Sequence, residues 1–400
     1  MKIFQINSVC GIGSTGRITT DLYQVLKDWG HDCCIGYGRG VAPEGIKSYR
    51  IGSDMDVYLH VLYSRITDRT GFASSKATKL LINQIRQYKP DIIHLHNLHG
   101  YYVNIDLLFN FFGTIKTPIV WSLYDCWSMT GHCCHFDYIG CDKWKTGCHH
   151  CDQKKEYPTT YLLDQSHKNY ITKQSLFKGC KQITMVAPSK WLRDIIKESY
   201  LHQFPSAIIP SGIDLNQFKP TSGEFRQRYH LEDKYIVLGV SFGFSKLKGS
   251  EYFIQLSERL SKEYQVVLIG VDEKQRGYFP STILTLPRTK NIKNLAEYYT
   301  VADVFVNPTL QESQGLTNIE ALACGTGVVT FDSGGSPEGI DESCGYVVKR
   351  GDGDGFINAV VKACIHPFDQ KACINRAGLF DKAKLYQDYI KLYEALRVMG

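Results

Sequence analysis

Short apolar runs alternate with longer amphipathic stretches from one end of the chain to the other. Apolar runs bounded by turn residues indicate buried strands, and apolar positions three and four apart indicate helices. In the N-terminal half, one predicted strand ends near Ser8, and helices are predicted from Ile18 to Trp29 and from Ser75 to Tyr88. Further strands are predicted over residues 33–37, 91–96 and 119–123. This alternation is typical of a parallel α/β sheet.

The pattern pauses between Pro205 and Pro220 and then repeats. Strands are predicted over 235–240, 265–269, 303–307 and 327–331. The repeat predicts an α/β protein of two Rossmann-like domains, with parallel sheets facing a central cleft where ligands bind. The predicted boundaries are 1–207 for the N-terminal domain, 208–381 for the C-terminal domain and 382–400 for a helix that can pack on either domain.

Composition and charge narrow the class of protein. Hydrophobic residues make up 43% and charged residues 22%, which excludes long disorder and is ordinary for a soluble enzyme. Met1 leads directly into a predicted strand, and no apolar run approaches the roughly 20 residues of a spanning helix, so we expect a cytoplasmic protein. The first 200 residues carry 24 Lys and Arg against 17 Asp and Glu, a net charge of +7. This half suits an anionic membrane surface or a phosphorylated acceptor, although solvated lysines explain it too.

A glycine-rich turn follows the first predicted strand. Residues Gly11–Gly16 match GxGxxG, and Arg17 follows at once. Glycines allow backbone amides to approach an anion at a helix N-terminus, so the turn can cradle a phosphate or a sugar. The second predicted strand runs into Gly38-Arg39-Gly40 rather than ending at an acidic residue. An NADP-dependent oxidoreductase therefore stays open as an alternative, as does a tight turn without a ligand.

Two further segments favour anion binding in the C-terminal half. Lys246 and Lys248 precede a predicted helix, where cations are unfavourable unless an anion such as a diphosphate is bound; solvated lysines are the alternative. Glu312 lies in a loop, and Glu320 lies eight positions later in the next helix. The amides of 315–317 form a second anion site, while the spacing from Thr317 to Glu320 also fits a capping box.

The spacing of Glu312 and Glu320 resembles the paired-glutamate motif of retaining glycosyltransferase family four, which has the two-domain GT-B fold. Other segments in the same order are similar to that family: Val186–Leu192, Ile209–Asp214, Lys248-Gly249 and Gly334–Glu338. The resemblance spans nearly the whole chain. It is greatest to bacterial capsule, O-antigen and exopolysaccharide transferases.

The resemblance implies a role for each matching residue. Glu312 is expected against the donor sugar, Lys248 on the diphosphate and His96 near the sugar, and these three are the catalytic candidates. The residues expected to bind the donor come from both domains: Lys246, Lys248, Gly315, Leu316, Thr317, Glu320, Gly13, Gly16 and Arg17. Phe242 departs from the pattern because many relatives have an arginine there, and Lys246 is the expected substitute.

The acceptor is expected on the N-terminal side, where three polar residues lie in or just after predicted strands. These residues are His94, His99 and Asp125. His94 can equally be a satisfied histidine of the core. Relatives often have a histidine directly before the aspartate, and Tyr124 replaces it here. This replacement weakens the case that Tyr124 and Asp125 act together as a base.

The resemblance predicts retaining transfer of a sugar from a nucleotide sugar, UDP-linked rather than GDP-linked, without a catalytic metal. The expected acceptor is a glycan or a polyprenyl-diphosphate-linked oligosaccharide in bacterial surface polysaccharide synthesis, reached through peripheral contact with the cytoplasmic face of the inner membrane. A GT-B epimerase or phosphorylase is the nearer alternative. Nucleic-acid binding is not expected, because it would leave the second α/β domain without a role.

Residues 126–151 contain six cysteines and four histidines, an unusual density for a cytoplasmic chain. Cys148 and Cys151 form a CxxC pair, and two more thiolates would complete a tetrahedral zinc site. We predict a structural zinc on Cys133, Cys141, Cys148 and Cys151, with His132 as a substitute ligand. Unligated thiols or a redox pair are the alternative.

Overall fold

The computed structural model describes residues 1–289 and 291–399, and the chain divides into two compact units. The N-terminal unit consists of Met1–Pro210 together with the chain from Leu385 onward, and the C-terminal unit is Ser211–Lys384. Each unit has a parallel β-sheet and buried apolar clusters of its own. Within the described residues, no helix has the length and apolar character needed to cross a bilayer.

A seven-stranded sheet forms the centre of the N-terminal unit. Its strands are β1 (Lys2–Val9), β2 (Asp32–Arg39), β3 (Ser48–Arg50), β4 (Ile92–Leu95), β5 (Ile119–Ser122), β6 (Ile183–Ala187) and β7 (Ser206–Ile208). They lie in the order β3-β2-β1-β4-β5-β6-β7, and all neighbours are parallel. Six consecutive residues of β1 are buried, as expected of a central strand with both faces covered.

The helices of this unit lie between the strands. They are α1 (Gly13–Asp28), α2 (Asp54–Thr67), α3 (Ser75–Tyr88), α4 (Ile105–Phe112), α5 (Lys143–Thr146), α6 (Ser166–Lys178) and α7 (Lys190–Glu198). The helix α1 begins five residues before the predicted Ile18, because the second part of the glycine-rich segment, Gly13–Gly16, already forms the first turn of the helix. The bounds of α3 are those predicted, since Lys89 adopts a left-handed conformation before Pro90 and ends the helix.

The C-terminal unit repeats the architecture with six strands. These are β8 (Tyr235–Val240), β9 (Tyr264–Ile269), β10 (Leu284–Leu286), β11 (Val304–Asn307), β12 (Val328–Asp332) and β13 (Gly345–Lys349). The order is β10-β9-β8-β11-β12-β13, again with parallel neighbours. Its helices are α8 (Phe225–Tyr229), α9 (Ser250–Arg259), α10 (Glu273–Arg276), α11 (Ile292–Val301), α12 (Leu316–Ala323), α13 (Gly353–Ile365) and α14 (Gln370–Ala377). Two Rossmann-like α/β domains with parallel sheets were predicted, and this fold class is confirmed.

The predicted final helix is two helices, α15 (Lys382–Leu385) and α16 (Gln387–Met399). The helix α16 belongs to the N-terminal unit. Tyr393 Oη lies 2.6 Å from Nδ1 of His94, and Tyr389 Oη lies 2.9 Å from Oγ of Ser122. The end of the chain therefore packs on the strands β4 and β5.

Candidate functional site

The two lysines predicted to hold a diphosphate lie in the 3-10 turn Lys246–Lys248, between β8 and α9. Gly249 follows with φ of +73°, and a Cβ there would lie 2.1 Å from the carbonyl oxygen of Pro308. Glycine is therefore required for the turn to approach the loop after β11. The amide of Leu310 donates to the carbonyl of Leu247 at 2.8 Å, which joins the turn to that loop.

The same loop carries Glu312, and the structure brings it to Lys248. Nζ of Lys248 lies 2.5 Å from Oε2 of Glu312, and both side chains are partly exposed. The carbonyl of Glu312 accepts from the amide of Gly335 at 2.8 Å, and a Cβ at Gly334 would lie 2.2 Å from that carbonyl. Two residues predicted to act on the donor, 64 positions apart, are therefore held next to each other by backbone contacts.

The N-terminus of α12 begins beside Glu312 and has no side-chain cap. Gly315 occupies the N-cap position with φ of +73°, so the amides of Leu316 and Thr317 belong to an uncapped first turn. The capping box considered for Thr317 and Glu320 is absent, because no side chain caps this described helix. Glu320 is instead buried and accepts a hydrogen bond from Oη of Tyr299 at 2.9 Å. The contact predicted between Glu320 and the ribose stays a prediction.

A cavity of about 500 Å³ opens beyond the carboxyl ends of β8, β9 and β10, and sequence reasoning did not identify it. Phe242 stands where the resemblance led us to expect an arginine, and the guanidinium of Arg288 lies 4.5 Å from its ring centroid. The only signal in the sequence was that Phe242 departs from the pattern of the resemblance. The remaining lining residues come from the ends of the neighbouring strands and from α10: Gly243, Gly270, Val271, Asp272, Glu273, Arg276, Thr285 and Pro287.

In the N-terminal unit, the glycine-rich turn is closed by its own backbone. The amide of Gly11 donates to the carbonyl of Gly16 at 3.0 Å, and a Cβ at Gly11 would lie 2.5 Å from Cγ of Pro43. The tight-turn interpretation therefore accounts for Gly11 and Gly16. Gly13 differs, because a Cβ there would meet nothing within 4 Å although φ is +67°. Donor contacts of Gly13, Gly16 and the adjoining Arg17 stay predictions.

The histidines at 94 and 96 are both buried in the N-terminal unit. Nε2 of His94 lies 2.8 Å from Oγ of Ser122, and Nδ1 lies against Tyr393, which favours the interpretation of His94 as a satisfied core histidine. Nε2 of His96 lies 2.9 Å from Oε1 of Gln5, and Nδ1 lies 3.0 Å from Oη of Tyr124. Burial lowers the pKa of His96 to about 3, so it is neutral at physiological pH and a weak proton acceptor. Its contact with the sugar stays a prediction.

His99 and Asp125 form a pair beyond the carboxyl ends of β4 and β5. Nε2 of His99 lies 2.7 Å from Oδ2 of Asp125, and Nδ1 lies 3.0 Å from Oη of Tyr157. Burial opposes ionisation of Asp125, but His99 and a hydrogen bond from the Trp127 amide hold its pKa below the usual value. The aspartate is therefore ionised and orients the imidazole. Of the three predicted acceptor-side residues, these two share one site.

The cysteine-rich segment contains thiols only, and two of the predicted zinc ligands meet there. The thiols of Cys133 and Cys151 share a hydrogen bond, which is the main cause that lowers the pKa of Cys151 below its usual value. Nδ1 of His132 bonds to the buried Asp68, and within the described chain its Nε2 is buried without a hydrogen-bond partner.

A different trio has the closest metal-binding arrangement among residues 1–289 and 291–399. Ligand atoms of His99, Asp125 and Cys134 all lie within 4.8 Å of one another, and the predicted cysteines are not in this group. Zinc on Cys133, Cys141, Cys148 and Cys151 therefore stays a prediction.

Comparisons with known proteins identify a family that matches part of the C-terminal unit. Residues 234–365 match the family described as glycosyl transferases group 1. The putative colanic acid biosynthesis glycosyl transferase WcaC of Escherichia coli is 28% identical over 235 residues, which cover 54% of this chain and 55% of that protein. The chain thus spans about half the length of the curated relatives it matches.

Solved structures match the whole fold. Sucrose-phosphate synthase from Thermosynechococcus elongatus superposes with a TM-score of 0.73 at 16% identity, covering 100% of both chains. HepE from Anabaena, solved in complex with UDP-glucose, has a TM-score of 0.67 at 15% identity and covers 99% of this chain and 100% of its own. The comparisons do not support the oxidoreductase, epimerase or phosphorylase alternatives. The resemblance to GT-B glycosyltransferases is confirmed, by the family match in the C-terminal unit and by the fold of both units.

Proposed function

We propose that this protein is a retaining glycosyltransferase that moves a sugar from a nucleotide sugar to a glycan or a polyprenyl-diphosphate-linked acceptor. The observation that carries the proposal is the Lys248–Glu312 pair beside the uncapped N-terminus of α12. A cation and helix amides bind a diphosphate, while the carboxylate can accept hydrogen bonds from sugar hydroxyls. All of these groups lie within the residues that match the glycosyltransferase family.

The donor is a UDP-sugar rather than a GDP-sugar. The cavity beside Phe242 and Arg288 has the volume and the mixed aromatic and polar lining suited to a nucleoside. An Anabaena structure with this fold was solved with UDP-glucose, which supports the choice of a uridine nucleotide. Lys248 then holds the diphosphate, and Glu312 receives the sugar once the ligand separates the pair.

Breaking the anomeric bond leaves negative charge on the departing diphosphate. Lys248 and the amides of Leu316 and Thr317 stabilise this charge, so the reaction needs no catalytic metal. The bond from the anomeric carbon to the phosphate oxygen breaks, and a bond from that carbon to the acceptor oxygen forms on the same face. The departing phosphate takes the acceptor's proton, and the configuration is retained. Trapping of a covalent glycosyl-enzyme would contradict this path.

The N-terminal unit binds the acceptor, and His99 with Asp125 is the best candidate to orient its hydroxyl group. The basic first half suits an acceptor that carries phosphates at an anionic membrane surface. The relative WcaC is named for colanic acid biosynthesis, which supports a role in bacterial surface polysaccharide synthesis. We place the enzyme in the cytoplasm, with peripheral contact at the inner membrane.

The test combines a transfer assay with donor binding. The purified protein should move label from a UDP-sugar to a polyprenyl-diphosphate-linked acceptor in the presence of EDTA, and NMR should show the donor's anomeric configuration in the product. Lys248→Ala should weaken donor binding about 10- to 100-fold, because a charge-assisted hydrogen bond contributes about 1.5–3 kcal/mol.

The exposed Lys371, on α14 of the same unit, provides the matched control. Lys371→Ala should leave donor affinity and turnover unchanged. If Lys248→Ala or Glu312→Gln keeps full donor affinity and turnover, the proposed donor site is wrong.

A further inference from the structure

The helix α2 exposes most of its large apolar side chains, while the residues that it buries are polar. Its buried residues are His60 and Ser64. The opposite side carries six large apolar or aromatic side chains at helical spacing, between 39% and 64% exposed: Met55, Tyr58, Leu59, Leu62, Tyr63 and Ile66. A surface helix normally turns such a stripe toward the core. This stripe, which we name the α2 face, is therefore unexplained by the folding of a single unit.

Hydrogen bonds on the buried side fix this orientation. Nδ1 of His60 lies 2.8 Å from Oγ of Ser74, and the amide of Gly71 donates to Nε2 of His60 at 3.1 Å. A capping box formed by Ser53 and Asp56 sets where the helix begins. Rotating α2 to bury its leucines would break the hydrogen bonds of His60, so the fold holds the α2 face toward solvent.

The loop that contains residues 161–163 extends the patch at the end of the helix. The amide of Tyr161 donates to the carbonyl of Arg65 at 2.8 Å, and the amide of Leu163 donates to the carbonyl of Ile66 at 3.2 Å. Tyr161, Leu162 and Leu163 are between 46% and 70% exposed. Together with the α2 face these residues expose on the order of 1,000 Å² of surface. This area exceeds the few hundred Å² of a typical exposed patch on a monomer, and it is comparable to the ~800 Å² that each partner buries in a standard protein interface.

The charges at the two ends of α2 indicate what covers it. Asp54 and Asp56 stand at the beginning and Arg65 at the end, while residues 57–64 contain no Asp, Glu, Lys or Arg. The side chain of Asp54 is 94% exposed although it pairs with Arg50. Two copies of α2 packed antiparallel across a two-fold axis would place each acidic end beside the partner's basic end. An anionic bilayer would instead meet the exposed acidic end.

We propose that the protein forms a two-fold symmetric homodimer through the α2 face and residues 161–163. The neutral centre, rich in leucine and tyrosine, becomes the buried core of the interface, and the charged ends form its rim. The site is independent of the proposed donor site, which lies in the other unit.

Sedimentation velocity from 0.1 to 100 µM tests the dimer without any ligand. The native protein should be a dimer with a dissociation constant in the micromolar range or below. Leu59→Asp places like charges near each other across the axis and should weaken dimerisation at least 100-fold while donor affinity is unchanged. Leu80→Asp, at an exposed leucine of α3, is the matched control and should remain dimeric.

Charge reversal tests the antiparallel arrangement. Asp54→Lys and Arg65→Glu should each weaken the dimer several-fold, and the double variant should recover most of the loss. Circular dichroism establishes that each variant is folded. A monomeric native protein at 100 µM, or a dimer that Leu59→Asp leaves intact, would overturn the proposal. So would a native monomer that binds vesicles of phosphatidylcholine and phosphatidylglycerol through the α2 face.

Discussion

At the scale of single residues, the Lys248–Glu312 pair is the basis of the donor site that we propose in the C-terminal unit. Each side chain partly neutralises the other, and in the proposed site a ligand would separate them by offering a diphosphate to the lysine and hydroxyls to the glutamate. Both residues were predicted from the sequence as separate donor contacts. Their pairing depends on the glycines at 249 and 334, whose missing side chains allow two loops to meet.

The buried His60 predicts a pH dependence of stability in the N-terminal unit. Burial lowers its pKa to about 4, so the unfolded chain takes up a proton near pH 6.5 and the folded chain does not. The stability that His60 contributes is therefore present above pH 6.5 and is lost as the pH falls toward 4. We expect a loss of roughly 2 kcal/mol between pH 7 and pH 5.

Tryptophan fluorescence can measure this loss in urea, because all five tryptophans lie in the first 200 residues. The difference in unfolding free energy between the native protein and His60→Gln should shrink by roughly 2 kcal/mol as the pH is lowered from 7 to 5. His202→Gln, at an exposed histidine, controls for the change of residue type. A constant difference between native protein and His60→Gln across this range would contradict the prediction.

At the scale of elements, most strands and helices follow from periodicity, but α2 was not predicted although its large apolar side chains recur at helical spacing. Periodicity alone does not tell whether such a stripe faces the core or the solvent. No element was predicted for residues 54–67. The short strands β3, β7 and β10 are also hard to detect, since three residues show no period. By contrast, β1 and α3 combine strong patterns with clear end signals and were predicted well.

The turn from Lys248 into α9 gives a prediction at this scale. Gly249→Ala should destabilise the C-terminal unit by about 1–3 kcal/mol, because alanine is strained at positive φ and its Cβ would meet the Pro308 carbonyl. The displaced turn should also weaken donor binding. Thermal unfolding followed by circular dichroism, together with donor titration, measures both effects.

Gly277 offers a control of the same kind in the same unit. Its backbone is not in the left-handed region, and a Cβ there would meet nothing within 4 Å. Gly277→Ala should therefore leave stability and donor affinity close to those of the native protein. Equal behaviour of Gly249→Ala and Gly277→Ala would show that the close approach at Pro308 does not matter.

At the scale of the whole molecule, the two units have their own sheets and apolar clusters, so a change in one can be followed separately. If zinc binds the cysteine-rich segment, the purified protein should contain about one zinc per chain. Cys148→Ser, or removal of zinc with a chelator, should lower the urea midpoint reported by tryptophan fluorescence. Donor affinity in the other unit should not change.

Cys10 lies outside the segment in the same unit, so Cys10→Ser should keep its zinc. Substoichiometric zinc in the native protein, with a Cys148→Ser variant of unchanged stability, would disprove the metal site. Zinc that stays bound in Cys148→Ser but is lost from a Cys134→Ser variant would instead support the trio of His99, Asp125 and Cys134.

The sequence by itself determined the fold class, and it supplied the residues of the proposed donor site. Alternating apolar runs and helical stripes predict two covered parallel sheets, and three of the proposed donor residues, Lys246, Lys248 and Glu312, lie in turns and loops next to those elements. Local patterns can determine such features because they depend on neighbours a few positions away in the chain.

Only the tertiary structure decided which polar residues meet and which are buried. His94 and His96 belong to one short motif, yet Tyr393 of α16, 299 positions further along the chain, packs against His94. Asp125 pairs with His99 and with neither of these two histidines. The same is true of the cavity beside Arg288 and of the face that α2 turns outward. These features depend on contacts between distant segments, and the free energy of such contacts is not encoded in any local pattern.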